Sequence, residues 1–449
     1  MTPARGAASS WRFANTPFPF QSSMPDGSAT AHLIRPKIAT VLREGYGLDG
    51  LRRDSMAGLT VAIVALPLSM AIAVASGVSP ARGLYTSIVG GFVVSALGGS
   101  RFQIGGPAGA FIVLVSATTA TFGLEGLLLA VLMSGAMLAL AGLLRIGSLI
   151  RHIPHAVTVG FTCAIAVSIL ASQLKDLGGL KLSVAEPGAF FPKLAVLGGA
   201  LWTMNPTALA IGLGSAGLIF AVRRLRPSLP GMLIAVIAAS VLAALLRLPV
   251  ETIGTRFGGI PGSLPAPVLP VFAPGLAWKV LPSALAFTLL GGIESLLSAK
   301  VADALTGRKH RSNMELMAQG AANIASALFG GICVTGTIAR TATNIRAGAT
   351  SPLSGMLHSA FVLLFMLVAA PLASYIPLSA LAGVLLVVCW NMAEKREFAR
   401  LMGGWRTGVV LLATFGGTLA RDLTFGIIAG CGTGLVLTVF DRPVPEEGN

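Results

Sequence analysis

Two charged side chains and two glycine-rich segments stand out in this 449-residue chain as places where chemistry is expected. Glu294 sits mid-way in an apolar run, within Gly291-Gly292-Ile293-Glu294-Ser295-Leu296-Leu297-Ser298. Arg340 sits in the first turn of a short polar run. One glycine-rich segment is Gly105-Gly106-Pro107-Ala108-Gly109, and the other holds Gly330-Gly331 and Thr335-Gly336. Each opens a short helical run. A helix that begins inside a membrane exposes free backbone N–H groups and the positive end of its dipole. Two such ends facing one another make an anion site. Glycine, with no Cβ, lets the backbone come close to a ligand. On this reading Gly106, Pro107 and Gly109 face Gly336 and Thr337 across the site. The competing reading is that small residues merely allow close helix packing.

Arg340 adds positive potential to such a site, or else pairs with a carboxylate to hold two helices. A charge at membrane depth costs at least ~2.5–3.5 kcal/mol, so it needs one of these roles. Glu294 shares a helical face with Ser298, one turn on. Carboxylate and hydroxyl together suit Na⁺, and the carboxylate alone suits a proton. The structural alternative is a salt bridge from Glu294 to Arg340. His358 is read as a satisfied packing residue, and Asp303 and Lys300 as interfacial. Pro67 removes one helix hydrogen bond, which makes its neighbour Ser69 a candidate cavity residue. No GxxxxGK[ST], HExxH or GxSxG pattern occurs, so neither a catalytic residue nor a cofactor is expected, and no metal beyond Na⁺ at Glu294 and Ser298.

The elements that must position these residues are membrane helices. The chain is 54% hydrophobic and only 11% charged, with a mean hydropathy of +0.82. Soluble domains are typically about 25% charged, and long apolar runs in lipid must be helical. Fourteen spans are expected: 55–77, 81–99, 107–122, 124–146, 153–174, 206–222, 229–246, 276–302, 313–334, 337–349, 352–376, 379–392, 407–420 and 423–440. The net charge of +15 lies in alternate gaps, such as Arg52 and Arg53, Arg145 and Arg151, or Arg308, Lys309 and Arg311. This is the pattern of cytoplasmic loops rather than of a nucleic-acid surface. An even span count puts both termini on the positive, cytoplasmic side. Residues 1–54 contain no apolar signal segment, and 16–28 read as flexible. Cys163, Cys333, Cys389 and Cys431 all fall in apolar runs and read as packing residues. The two glycine-opened spans are the third and the tenth, the third place in each half of seven. Seven is odd, so the halves enter from opposite sides, which is the signature of an inverted-repeat transporter.

These residues resemble the sulfate permease (SulP) family of anion transporters. The matching pieces are Asp54-Ser55-Met56-Ala57-Gly58-Leu59-Thr60 running into Ala65-Leu66-Pro67, then Gly83-Leu84-Tyr85 and Gly105-Gly106-Pro107. Gly336-Thr337-Ile338-Ala339-Arg340-Thr341, Gly348 and Thr350 complete them. The resemblance covers about residues 50–440 and implies an all-α membrane fold of seven-plus-seven inverted repeats. It implies a core of spans 1–4 and 8–11 and a gate of spans 5–7 and 12–14, within 55–440. It places Ala108, Ile338, Ala339 and Arg340 in the anion site, with Leu68 and Ser69 approaching it, and Glu294 and Ser298 at a coupling-cation site. Leu68 stands where relatives often carry Gln, which puts the contact from that span in question. The family usually carries a C-terminal STAS domain, and only residues 441–449 follow the last span here. The resulting expectation is a secondary transporter of a small anion, such as sulfate, bicarbonate or a dicarboxylate, coupled to H⁺ or Na⁺. It is expected in a bacterial inner membrane, with a homodimer as its assembly. A passive anion channel, or a nucleobase transporter of the same fold, is the alternative. Arg340 weighs against the nucleobase, because a fixed positive charge favours an anion over a neutral base.

Overall fold

A computed structural model of the protein describes residues 35–147, 155–184, 186–227, 229–271, 273–421 and 423–439. The expected flexible stretch 16–28, Arg151 and residues 441–449 lie outside them. The first helix, α1 (Lys37–Glu44), is amphipathic and precedes the bundle. The first span is α2 (Leu48–Ala75). The second is α3 (Pro80–Tyr85) and α4 (Gly91–Leu97), joined by a π-helical turn at Thr86–Gly90. Then comes a two-residue strand, β1 (Gly105–Gly106), a 3₁₀ turn at Gly109–Phe111, and α5 (Ile112–Leu143). Gly123, at φ 68° and ψ −170°, breaks α5 into the third and fourth spans. Only glycine takes this backbone conformation cheaply.

The fifth to seventh spans are α6 (His155–Gly178), α8 (Pro206–Leu225) and α9 (Gly231–Leu245). The second half repeats the order. It comprises α11 (Pro274–Thr306), α12 (Ser312–Leu328), β2 (Thr335–Gly336) and α13 (Ile338–Arg346). It continues with α14 (Leu353–Ala373), α15 (Leu378–Met392), α17 (Trp405–Ala420) and α18 (Leu423–Val439). Seven helices among the described residues are long and apolar enough to cross a bilayer unaided, and shorter apolar helices stand beside them.

Three helices fall in stretches read as gaps. These are α7 (Phe190–Gly199), α10 (Ile253–Phe257) and α16 (Lys395–Met402). At 1.5 Å per residue none is long enough to span, which is why hydropathy does not find them. The ninth span also ends earlier than the expected 334. After Leu328 the chain unwinds, and side chains take over the backbone bonds that the helix gives up. Asn323 Nδ2 donates to the Val334 carbonyl and its Oδ1 accepts from the Val334 N–H. Ser326 donates to the Ile332 carbonyl, Thr86 Oγ1 accepts from the Ile332 N–H, and Arg82 donates to the Gly330 carbonyl.

Packing falls into two sets. In one, α14 lies on α2, and α11 and α12 lie on α5. In the other, α15 packs on α6 and α8, and α17 on α6 and α18. Without a hydrophobic drive between helices in lipid, close approach of small residues holds such crossings. At the α5–α12 crossing a Cβ on Gly320 would lie 2.4 Å from the Ala139 nitrogen and 2.5 Å from the Gly135 oxygen. A Gly320→Leu substitution is therefore expected to lower stability by about 1–3 kcal/mol or more. Thermal unfolding of the detergent-purified variant measures this, and an unchanged melting temperature would show that the crossing is not tight.

Candidate functional site

The two glycine-rich segments meet. β1 and β2 pair antiparallel, Gly105 opposite Gly336 and Gly106 opposite Thr335. The ladder continues outward, with the Thr337 N–H donating to the Ile104 carbonyl at 3.0 Å. Thr341 Oγ1 accepts from the Ile104 N–H at 3.1 Å. The pair brings the start of the third span and the start of α13 side by side. The first-turn amides of both lack intrahelical acceptors by construction. The eighth span locks β2 from behind. Ser295 shares a 2.9 Å hydrogen bond with Thr335 and accepts from the Gly336 N–H at 3.2 Å, while Ser298 donates to Thr341 at 3.2 Å.

Arg340 is 2% exposed. Its guanidinium donates to Ser69 Oγ at 3.1 Å, to Ser87 Oγ at 3.4 Å and to the Pro107 carbonyl at 3.3 Å. Its Nε is buried without a partner. All three acceptors are neutral, so the charge is oriented and not cancelled. Ser69 and Ser87 are fully buried and bond to one another at 2.7 Å. Ser69, expected to line the cavity, is enclosed here and bonded to Arg340. Leu68, in the position of doubt, is also buried. Gly106 has a steric reason to be glycine, because an added Cβ would fall 2.2 Å from Arg340 Nη1. Pro107 and Ala108 are buried and Gly109 is half-buried. Thr337 is half-buried, and Ile338 and Ala339 are exposed, so the first turn of α13 opens to the surroundings while Arg340 turns inward.

Glu294 and Arg340 form no ion pair. The carboxylate Oε2 of Glu294 is instead buried with no hydrogen-bond partner. Ser298 is committed to Thr341, so the pairing of Glu294 with Ser298 rests on their shared helical face and not on a bond between them. His358, read as satisfied, is not. It is fully buried on α14, and neither ring nitrogen has a partner. Asp303 lies at the end of α11, half-buried, and bonds to His310, and Lys300 is exposed, as interfacial residues should be. Cys163, Cys333 and Cys389 are buried and Cys431 half-buried, none in a disulfide.

Sequence reasoning missed the partners of the site. Ser87 and Thr86 lie in the π-helical turn, where an extra residue per turn re-aims side chains. Ser295 was visible beside Glu294, and a hydroxyl at membrane depth is itself a signal. Gln103 was not singled out. It is 4% exposed, both its amide atoms are unpartnered, and it packs over Gly336, where an added Cβ would meet its Nε2 at 1.7 Å.

A Gly106→Val substitution should displace the guanidinium and weaken anion binding by roughly tenfold or more, the scale of losing a hydrogen bond to a charged group. Anion-dependent thermal stabilisation measures it. Full retention of affinity would separate Arg340's placement from anion binding.

The model of the sulfate permease family matches residues 51–414. YvdB of Bacillus subtilis (strain 168), which bears a sulfate-transporter name, is 42% identical over 395 residues, 88% of this chain and 74% of that one. The bicarbonate transporter BicA of Picosynechococcus sp. (strain ATCC 27264 / PCC 7002 / PR-6) is 32% identical over 406 residues, 87% of this chain and 70% of that one. The solved transmembrane domain of a cyanobacterial BicA superposes with a TM-score of 0.76 at 29% identity, covering 86% of this chain and 99% of that domain. The murine Slc26a9 anion transporter in its inward-facing state gives 0.83 at 19% identity, over 93% and 73% of the two chains, a likeness of fold. The fold is the seven-plus-seven inverted repeat of these transmembrane domains, and the chain belongs to the sulfate permease family of multi-pass membrane transporters.

Proposed function

We propose that the protein is a secondary active transporter of a small anion, an oxyanion such as sulfate or bicarbonate or a dicarboxylate, working by alternating access. The observation that carries this reading is Arg340, buried and hydrogen-bonded only by neutral acceptors at the joint between two half-helices. An anion beside Gly106, Pro107, Ala108, Gly109, Gly336, Thr337, Ile338 and Ala339 would supply the missing charge. The names of YvdB and BicA agree with an oxyanion. Backbone N–H groups read charge and size more than identity.

The helices that pack with α2 and α5 would form the moving core, spans 1–4 and 8–11. Those that pack with α6 or α8 would form the gate, spans 5–7 and 12–14. The charge pattern supports termini in the cytoplasm and a bacterial inner membrane, and a homodimer is the assembly we favour. Uptake of an uncompensated negative charge against 100 mV costs ~2.3 kcal/mol, which a co-transported cation offsets. Glu294, with a buried unpartnered oxygen, and Ser298 beside it are the groups we assign to that H⁺ or Na⁺.

The test is uptake into proteoliposomes under an imposed H⁺ or Na⁺ gradient, with a panel of labelled anions. Saturable, gradient-dependent uptake is expected. Non-saturating currents would indicate a channel instead, and uptake of uracil with no anion taken up would overturn the anion reading. Arg340→Ala should abolish anion affinity. Glu294→Gln should leave folding intact and remove the gradient dependence. Unchanged coupling in Glu294→Gln would reduce Glu294 to a structural role.

A further inference from the structure

A second concentration of positive charge lies away from the half-helices, at the face of the bundle that carries α1. The Lys37 N–H donates to the Gly98 carbonyl at 2.9 Å, which docks α1 on the end of the second span. The Arg311 N–H donates to the Gly99 carbonyl at 3.0 Å, and its Nη1 to the Arg35 carbonyl at 2.8 Å. Arg311 is 8% exposed, and its Nε is buried with no partner. Lys37 feels the charges of both Arg311 and Arg101, and Arg311 feels Arg101 and Arg35. Burial first, and then Arg311 and Arg101, bring the Lys37 ammonium down to about 8.

The acids around this cluster are already engaged. Glu44 is paired with Arg101, and Asp303 binds the ring and backbone N–H of His310. Glu315, fully buried, accepts from the Gly99 and Ser100 N–H groups at 2.9 and 3.1 Å. Arg101 thus has a carboxylate of its own, whereas Lys37 and Arg311 form no ion pair among the described residues and the Arg311 Nε stays unpartnered.

We propose that Lys37, Arg101 and Arg311 form a binding site for a phosphate group, contributed by a soluble phosphate compound or by an anionic lipid headgroup. Arginine's planar fork and a lysine point charge are the donors phosphate takes best. Basic segments beside membrane spans attract anionic headgroups by the same chemistry. The ligand would clamp α1 to residues 98–101. These residues run straight on to Gly105, so occupancy would stiffen the strand that carries one half-helix.

The experiment uses the full chain carrying Arg340→Ala, which silences the midplane site, in phosphatidylcholine nanodiscs. Inorganic phosphate and pyrophosphate are titrated by calorimetry. Saturable binding is expected, weakened roughly tenfold by adding Lys37→Gln and retained by Lys37→Arg. Affinity should also fall as pH rises through about 8, where Lys37 loses its charge while phosphate keeps its own. If neither soluble ligand binds, melting temperatures in phosphatidylglycerol and phosphatidylcholine nanodiscs are compared. Stabilisation by phosphatidylglycerol that Lys37→Gln abolishes assigns the lipid headgroup. Binding indifferent to Lys37→Gln, or no response to either phosphate source, overturns the proposal.

Discussion

The Arg340 guanidinium, buried and paired with no carboxylate among the described residues, sets conditions that the surrounding structure meets one by one. A buried cation without a carboxylate needs every available neutral acceptor. Ser69 arrives from α2, Ser87 from the π-helical turn and the Pro107 carbonyl from the entry to the third span. Three separate elements therefore converge on one side chain. Gly106 must lack a Cβ for the guanidinium to reach them. The π-helical turn, which interrupts an otherwise ordinary span, is what puts Ser87 in reach.

The unwound segments raise a related demand. Non-helical backbone at membrane depth is tolerated only where protein or a water-lined cavity satisfies it. Here satisfaction comes from across the pseudo-symmetry. Strand meets strand from opposite repeats, and the hydroxyls of Ser295 and Thr341 accept from the Gly336 and Ile104 N–H groups. The bent stretch before β2 is held by Asn323, Ser326 and Thr86 in the same manner. Polar side chains in this bundle are mostly backbone supports. That makes the exceptions conspicuous, and Glu294, His358 and Gln103 are among those that keep buried polar atoms with nothing to bond.

Much of the fold was legible in the sequence because lipid leaves so few options. The apolar runs, the alternating basic gaps and the paired glycine segments each follow from one constraint, that backbone groups cannot be left open in hydrocarbon. Gly105–Gly109, Gly336 and Arg340 were legible for the same reason. The contacts were not. Ser69 was marked by its place beside Pro67, but a local feature names no partner, and that partner lies 271 positions away. The salt bridge considered between Glu294 and Arg340 does not form, since the arginine turns toward α2 and the serine pair. The early end of the ninth span was hidden because Ile332, Cys333 and Val334 are as apolar as any helical residue. α16 escaped notice because its eight residues carry charge and aromatic groups in a pattern that hydropathy averages away.

The pairing of Gly105 with Gly336 also has a bearing on how the protein is made. When the first seven spans have left the ribosome, the backbone around Gly105 has no strand to meet. Its partner emerges more than two hundred residues later. Until then the opened segment must be covered by water, by the insertion machinery or by a provisional helix that later unwinds. The first repeat thus waits, incomplete, for the second. The step that pairs the two strands is also the step that commits the two halves to a single structure. A chain interrupted between them would leave one repeat carrying an exposed half-helix, a form for quality control to recognise.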